Sequence, residues 1–248
     1  MSALLLFLAL IGAWQAYTEI SGIDSFLLPS PAEVGSSLWD DRSLLWSNLV
    51  VTAEEMLLGI VVAVAVALIL AFAMHLGRPL RRAAYPLLIG SQTIPIPMVA
   101  ILLATWLGFD LAPKVVIVAL VSFFPIVVTT LDGLGRVDPE LRKLMRTLDA
   151  TRWQTFRRVE LPTALPGLLS GAKIAVAVSA IGAVLAEFAG SSEGLGHLLI
   201  QSIPQFETAR AWATVVVLSA LAIALFVALS LAERRLVPWA HRRERTPA

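Results

Sequence analysis

The sequence predicts an all-α membrane protein with about six transmembrane helices and one helical cytoplasmic loop. Of its 248 residues, 58% are hydrophobic and 15% are charged, whereas soluble domains are closer to a quarter charged. Six apolar stretches approach the length of about 20 residues that crosses a bilayer. The basic residues are concentrated between particular stretches. The chain has no cysteine, which excludes disulfides and thiolate nucleophiles or metal ligands.

The candidate spans follow one another along a single transmembrane domain, residues 1–248. They cover residues 3–17, 56–74, 84–107, 115–131, 169–188 and 212–231. The first is short, and an apolar run of this length also occurs in signal peptides. No Lys or Arg precedes it, and residues 13–16 make a poor cleavage site, so a span is favoured.

The distribution of Lys and Arg predicts that both termini are cytoplasmic. Fifteen of the nineteen basic residues lie in the segments 75–82, 133–166 and 233–248. Basic residues are enriched in the cytoplasmic loops of membrane proteins. The same rule places residues 19–42, an acidic stretch that contains Leu28-Pro29-Ser30-Pro31, on the outside as a short interfacial element.

The long polar segment 133–166 has the pattern of two short helices. Asp138 can cap the first helix, and Pro139 suits its first turn. Asp149 and Ala150 interrupt the pattern, and Thr151 can cap the second helix. Apolar side chains recur at helical spacing on both arms: Leu141, Leu144, Met145 and Leu148 on the first, and Trp153 and Phe156 on the second.

Two interpretations of this helix pair remain open. An amphipathic pair rich in arginine can lie on anionic lipid. Large apolar side chains on both arms are better suited to a groove on a partner protein. Pro162 and Pro166 are expected to end the second helix before the fifth span.

The segment resembles the EAA loop of bacterial ABC importer permeases, whose pattern is E-A-A-x3-G-x9-I-x-L-P. The spacing matches from Lys143-Leu144-Met145 through Asp149 to Val159-Glu160-Leu161-Pro162. Asp149 replaces the glycine, and Asp tolerates a left-handed turn. The resemblance implies a coupling surface for an ATPase, made of Glu140, Lys143, Leu144, Met145, Asp149, Ala150, Trp153, Phe156, Leu161 and Pro162.

Further segments resemble the nitrate/sulfonate/taurine branch of these permeases. They are Leu28-Pro29-Ser30-Pro31, Phe123-Phe124-Pro125-Ile126, Ala186-Glu187 and Gly194-Leu195-Gly196. Within the branch, the segments 91–95, 124–128 and 129–133 look most like permeases for pyrimidine precursors of thiamine. The resemblance covers essentially the whole chain.

The resemblance implies a type I ABC importer permease of the bacterial inner membrane. Such permeases form a dimer, here expected to be a homodimer, with ATPase subunits and an extracytoplasmic solute-binding protein. The chain lacks the phosphate loop G-x4-G-K-[ST], so ATP and Mg²⁺ are expected on the ATPase and not on this chain. We expect it to be no enzyme, to contact lipid and not to bind nucleic acid. The implied solute is a small organic molecule, with a thiamine-precursor pyrimidine favoured over sulfonate, taurine or nitrate.

The third span carries the strongest candidates for a solute path. Pro95 and Pro97 remove helix donors, and distorted backbone at membrane depth survives only against protein or a water-filled cavity. Gln92 and Thr93 can offer neutral hydrogen bonds to a solute, or can join packed helices. Glu187, near the outer end of span five, can gate the outer mouth or pair with a basic residue. The alternative for Glu187 is a hydrated interfacial carboxylate.

The remaining intramembrane charges are expected to be structural. Glu54 and Glu55 are expected to be hydrated, and Lys173 to extend its amine to the interface. No charge cluster is expected in the interior, which favours a neutral or zwitterionic organic solute over a strongly anionic one. The alternative of an ion-coupled secondary transporter would use midplane carboxylates or broken helices. The third span is broken, but no carboxylate lies at a predicted midplane, and this alternative leaves the EAA-like loop unexplained. No catalytic pair or metal site is predicted in the spans.

Overall fold

The structure, a computed structural model, describes residues 2–239 and contains no β-strand within that range. A single π-helical turn, Phe156–Glu160, joins α8 to α9. The predicted all-α fold is confirmed. In chain order the helices are α1 (Ser2–Ser21), α2 (Pro31–Asp40), α3 (Arg42–Leu76), α4 (Arg78–Ser91), α5 (Ile96–Leu107), α6 (Leu111–Gly135), α7 (Pro139–Thr147), α8 (Arg152–Thr155), α9 (Leu161–Phe188), α10 (Leu195–Ser202) and α11 (Thr208–Leu236).

The centre of the bundle is formed by α3, α6 and α9. Small side chains repeat along α3, where Ala63, Ala67 and Ala71 are fully buried. On α9, Gly171 lies against the backbone of Pro125 and Ile126 of α6, so that a side chain there would overlap α6. Small residues let helix backbones approach closely within membranes. These contacts hold the three helices together as a packed core.

Five single helices are long and apolar enough to cross a membrane, and a bent helix pair makes a sixth candidate. This matches the predicted number of about six. The helices extend beyond the apolar stretches from which they were predicted. In particular, α3 has 35 residues and begins at Arg42, far ahead of the predicted span 56–74. Hydropathy marks the part of a helix that suits lipid, whereas the helix itself continues through polar residues to its caps.

The third predicted span, 84–107, is not one helix. Its residues fall in α4 and α5, which meet at an angle of 95°. With 14 and 12 residues, each helix extends roughly 20 Å, which is less than the ~30 Å hydrocarbon core. Pro95 disfavours helix at Ile94 and directly precedes α5, whereas Pro97 lies in the first turn of α5, where proline is tolerated. The break therefore lies just before Pro95, in the span that the two prolines were predicted to distort.

The prediction that Pro162 and Pro166 end the second loop helix is wrong. Both lie within α9, which begins at Leu161 and continues the helix of the loop. The π turn explains this continuity. In the π turn the Leu161 amide donates to the Phe156 carbonyl, one residue farther back than in an α-helix. The hydrogen-bond register has therefore already shifted at the point where the prolines have no amide hydrogen to donate.

The predicted outer segment contains the short helix α2. Ser30 caps it through a complete capping box with Glu33, which accounts for the Leu28-Pro29-Ser30-Pro31 motif. At its other end, Asp41 accepts a hydrogen bond of 2.9 Å from Arg210 of α11. These contacts attach α2 to the start of the last helix. Part of the predicted cytoplasmic C-terminus, residues 240–248, lies outside the described residues.

Candidate functional site

The predicted coupling loop is a helical hairpin with a left-handed turn. The side chain of Asp138 accepts the Glu140 amide at the start of α7, as predicted. Asp149 has φ +49°, and the Ala150 amide reaches back to the Met145 carbonyl at 3.0 Å. This pattern is a Schellman motif. The prediction that Asp149 makes the turn usually made by glycine is confirmed.

The apolar face of α7 is uncovered. The exposed fractions of Leu141, Leu144 and Leu148 are 46%, 53% and 68%. Met145, on the same helix, is half-buried. A monomer rarely leaves a continuous row of leucines in water unless another molecule covers it. This helix therefore has the geometry of a docking element.

The second arm is anchored to α3 by aromatic rings. Thr151 caps it through a capping box, as predicted. The ring of Trp153 stacks on that of Phe156 with centroids 5.6 Å apart, and Phe156 meets Phe72 of α3 edge-on at 4.9 Å. Trp153 is nevertheless 67% exposed. The rings thus connect an exposed surface to the end of a core helix.

The remaining predicted coupling residues lie around this surface. Glu140 and Lys143 are exposed, whereas Ala150, Leu161 and Pro162 are half-buried. A cleft of about 760 Å³ lies beside α7. Its lining comprises Leu141, Arg158, Val159, Pro162, Thr163, Pro166 and Trp239. The hairpin therefore presents both a ridge and an adjoining cleft.

The predicted path residues Gln92, Thr93 and Pro95 occupy the bend between α4 and α5, where all three are exposed. The Thr93 hydroxyl donates to the carbonyl of Gly90 at 2.8 Å. The Gln92 amide donates to the neighbouring Ser91 hydroxyl at 3.2 Å. Their bonds are local, so within the described chain these side chains do not join packed helices. Their exposure leaves them available to a solute or a second subunit.

Glu187 is not a hydrated carboxylate, because its exposed fraction is 1%. It accepts hydrogen bonds from the Gly196 amide, from the His197 amide at 3.1 Å and from the Thr52 hydroxyl at 2.6 Å. The carboxylate therefore lies at the start of α10, where unpaired amides and the helix dipole favour an anion. In this structure it stabilises α10 and does not line an open path.

Two side chains of α3 complete this cap. Asn48 accepts the Gly194 amide at 2.7 Å, and Thr52 accepts the Leu195 amide at 2.8 Å. Together with Glu187, they satisfy four consecutive amides that the helix itself leaves unpaired. The Gly194-Leu195-Gly196 motif is thus the docking point of α10 on α3 and α9.

A buried ion pair lies beside the cap, contrary to the prediction of a hydrated Glu55. The Lys114 amine donates to Glu55 at 2.7 Å and to the Ser191 hydroxyl at 2.6 Å. Glu55 is fully buried and Lys114 is 9% exposed. Glu54 is exposed, as predicted. The interior therefore contains buried charges, and the prediction that it has no charge cluster is wrong.

We call Asn48, Thr52, Glu55, Lys114, Glu187 and Ser191 the α10 network. It lies at the end of α9 away from the loop, because α9 runs its full length of 28 residues between them. Sequence reasoning missed Asn48, Thr52, Glu55 and Lys114 as members. The available signal was the spacing of the first three, which places three polar side chains on one face of an otherwise apolar helix.

Lys173 was expected to extend its amine to the interface. Instead it forms an ion pair of 2.7 Å with Glu233 of α11. Side chains of the pair are 23% and 11% exposed. Charged residues near lipid pair with one another when a partner is within reach. This pair joins α9 to α11.

Comparison with known proteins identifies the family. Residues 57–242 match the binding-protein-dependent transport system inner membrane component family. The chain belongs to this family. It is 35% identical over 236 residues to the formylaminopyrimidine transport permease protein ThiX of Halalkalibacterium halodurans, covering 95% of this chain and 94% of that protein.

Two further relatives span most of the chain. The riboflavin transport system permease protein RibX of Chloroflexus aurantiacus is 36% identical over 228 residues, covering 91% of this chain and 85% of RibX. The putative aliphatic sulfonates transport permease protein SsuC of Bacillus subtilis is 26% identical over 241 residues, covering 96% and 87%. The predicted membership in the branch that includes sulfonate permeases is confirmed.

Solved structures share the fold. A chain of the inward-facing MetNI methionine ABC transporter aligns with a TM-score of 0.64 and 18% identity, covering 79% of this chain and 96% of that one. By its family and relatives, the chain is a transmembrane permease subunit of a binding-protein-dependent ABC importer. Family membership decides against the ion-coupled secondary transporter. It also identifies the protein as a membrane component rather than an enzyme.

Proposed function

We propose that this subunit forms the path of an ATP-driven importer for a small organic solute, with a pyrimidine precursor of thiamine favoured. In this proposal it works as a homodimer with separate ATPase subunits. An extracytoplasmic binding protein delivers the solute. The hairpin of α7 and α8 is the contact with the ATPase.

The exposed apolar face of α7 carries the ATPase assignment. Leu144 and Leu148 would cost free energy in water, about 25 cal/mol per Å² of apolar surface left uncovered. A helix that turns its leucines outward next to a cleft fits the helix-in-groove mode of recognition. A lipid surface is the alternative occupant of this face, and loss of the ATPase from an inserted variant distinguishes a protein partner from lipid.

The charges around this face describe the partner. Exposed basic residues surround the leucines, so the partner groove should have an acidic rim. Lys143, where the family pattern has glutamate, belongs to this set. The set comprises Lys143, Arg146, Arg152, Arg157 and Arg158.

The concentration of basic residues also supports the orientation. The hairpin and the short segment between α3 and α4 belong to the same end of the bundle, because Phe72 near the end of α3 contacts Phe156. Basic loops remain in the cytoplasm. We therefore assign the hairpin, and with it both termini, to the cytoplasm of a bacterial cell. The α10 network then faces the binding protein outside.

Relatives and the path residues together favour a neutral heterocycle. Proteins named for formylaminopyrimidine and riboflavin are 35% and 36% identical to this chain, whereas the protein named for sulfonates is 26% identical. At the bend, Gln92 and Thr93 are exposed and uncharged. Such groups can pair with the ring nitrogens and amino groups of a pyrimidine without requiring a charge.

Purification of the intact complex tests the ATPase assignment. The wild-type protein, extracted gently from its native membrane, should retain an ATP-hydrolysing subunit. Changing Leu144 and Met145 together to aspartate should release that subunit while the spans remain inserted. A matched control is Leu76→Ala, because Leu76 is 72% exposed at the same end but outside the hairpin. Retention of the ATPase by the double aspartate variant would exclude the proposed contact.

Uptake of labelled formylaminopyrimidine tests the solute assignment. Proteoliposomes containing the complex and its binding protein should accumulate this compound only with ATP. Riboflavin, taurine and an alkyl sulfonate serve as competitors. Uptake of labelled taurine or labelled sulfonate, with no uptake of formylaminopyrimidine, would replace the pyrimidine assignment with a sulfonate one.

A further inference from the structure

Glu160 joins three helices at the base of the hairpin. It is the last residue of the π turn and leads directly into α9. One carboxylate oxygen lies 2.9 Å from Nε2 of His75 at the end of α3. The other accepts a hydrogen bond of 2.9 Å from Nε of Arg142 on α7. The Glu160 side chain is only 13% exposed, so this junction is largely withdrawn from water.

Arg142 extends the junction to a fourth helix. Its terminal nitrogen donates to the carbonyl of Leu134 at 3.1 Å. That carbonyl belongs to the last turn of α6, where the helix provides no donor of its own. A rigid guanidinium that serves two acceptors fixes the direction of its helix. Through Arg142 and Glu160, α7 is therefore held to the ends of α6 and α3 and to the start of α9.

An aromatic contact lies beside the ionic one. Phe72 and His75 are one turn apart on α3, and they meet Phe156 and Glu160, which are one turn apart in the π segment. The ring planes of Phe72 and Phe156 are inclined at 81°. Two contacts a helical turn apart prevent the π segment from rotating against α3, which either contact alone would permit.

The π turn, Phe156–Glu160, is the point at which the connection between α7 and α9 would bend most easily. Its hydrogen bonds follow a wider ring than those of an α-helix, and Pro162 follows immediately without a donor. Such turns are points of local rearrangement in helices. A force applied to α7 would bend the chain here unless another contact bridged the turn.

We propose that Glu160 is a positioning residue that makes α7, the π turn and the loop end of α3 move as one body. Movement of the hairpin then reaches the core of α3, α6 and α9 and is not lost at the π turn. The inference rests on the proposed function, since it takes the ATPase as the source of the movement. Glu160 itself is not assigned to the ATPase contact.

Distance measurement by double electron–electron resonance tests this role directly. The chain has no cysteine, so spin labels can be attached at Leu76→Cys and Thr147→Cys alone. Both side chains are exposed, and Thr147 of α7 lies outside the leucine face assigned to the ATPase. In the intact complex, this distance should stay within about 2 Å between the nucleotide-free and the ATP–vanadate-trapped states, the size of a small helix shift.

Removal of the junction should uncouple the two labels. In Glu160→Ala, the distance should differ between the two states by more than about 2 Å and its distribution should broaden. In Glu160→Gln, which keeps the side-chain volume, the distance between the labels should change in the same direction. Agreement of the two variants shows that the effect does not come from a folding defect in Glu160→Ala. The matched control is Glu233→Gln. Glu233 forms another largely buried ion pair, with Lys173 at 2.7 Å, and its loss should leave the distance unchanged.

The outcomes separate the two proposals. A wild-type complex that hydrolyses ATP while both Glu160 variants stay rigid would overturn only the positioning role. An equal change in Glu233→Gln would also overturn it, because the effect would then follow from loosening any ion pair. A protein that carries no ATPase would overturn the proposed function and this inference together.

Discussion

The carboxylate of Glu187 lies where a side chain on Gly194 would have to be. A Cβ built on Gly194 would overlap the carboxyl carbon and both oxygens. Gly194 also has φ +114°, a conformation almost restricted to glycine. Two independent constraints therefore require glycine at this position, one from the backbone and one from the carboxylate that caps α10.

We predict that Gly194→Ala destabilises the protein and loosens α10. The backbone strain alone should cost about 1–3 kcal/mol, which lowers the melting temperature by roughly 2–12 °C in a chain of this size. The control is Gly35→Ala in α2, where no atom lies within 4 Å of the added Cβ and a neutral or slightly stabilising effect is expected. Thermal unfolding in detergent measures both. Equal melting temperatures for the two variants would contradict the assigned constraint.

A second prediction concerns the buried pair of Lys114 and Glu55. Lys114→Met should destabilise the protein by about 3–5 kcal/mol, because it leaves the Glu55 carboxylate without its cation in an apolar interior. Changing Glu55 to Gln in the same chain should recover most of that loss. The melting temperatures of the single and double variants give the comparison.

Lys173→Met provides the matched control for this pair. Its partner Glu233 is also on a spanning helix, but the Lys173 side chain is 23% exposed. Partial hydration should limit the loss to about 1 kcal/mol. If both lysine variants lost the same stability, or if the double variant were no better than Lys114→Met, burial would not be the decisive factor at Lys114.

The hairpin could be predicted from the sequence because its determinants are local. Asp138 and Thr151 cap helices that begin one residue later, and Asp149 turns the chain with bonds to residues within five positions. Capping and turn chemistry depend on residues this close in sequence. The spacing of the motif therefore contained nearly all the information that the local fold uses.

The α10 network could not be predicted because its partners are distant in sequence. Lys114 and Glu55 are 59 residues apart, and Thr52 and Glu187 are 135 apart. Hydropathy places such residues near a helix end and leaves open whether they face water or one another.

The bend between α4 and α5 could be predicted only in part. Pro95 and Pro97 predicted a distortion of the span but not its angle of 95°.

A third prediction tests the turn of the hairpin. Asp149→Pro should abolish ATP-driven uptake, because proline requires φ near −65° where the chain has +49°. Proline also removes the amide that donates to the Arg146 carbonyl at 3.1 Å. Asp149→Gly should retain uptake within about twofold, since glycine adopts this conformation freely. Insertion of the spans, followed by accessibility of introduced cysteines, should be the same in both variants. Normal uptake by Asp149→Pro would exclude a coupling role for the turn.

The fourth prediction concerns pH and the contact between α2 and α11. Burial acts to raise the pKa of Asp41, but hydrogen bonds from Arg210 and Ser37 and the charge of Arg210 outweigh it. The pKa therefore lies below its ordinary value of 3.8. A carboxyl group whose pKa is lowered by folding stabilises the protein above its unfolded pKa, and this stabilisation is lost as the pH falls through its folded pKa.

The melting temperature of the wild type should therefore exceed that of Asp41→Asn by a constant amount at pH 5–7. This difference in melting temperature should shrink below about pH 4. The control is Asp40→Asn, which removes the same charge as Asp41→Asn. Asp40 is exposed, and within residues 2–239 it forms no ion pair. The melting temperature of Asp40→Asn should be close to that of the wild type at neutral pH. A wild-type advantage over Asp41→Asn that persisted unchanged well below pH 3 would mean that shape, and not the charge of Asp41, holds α2 to α11.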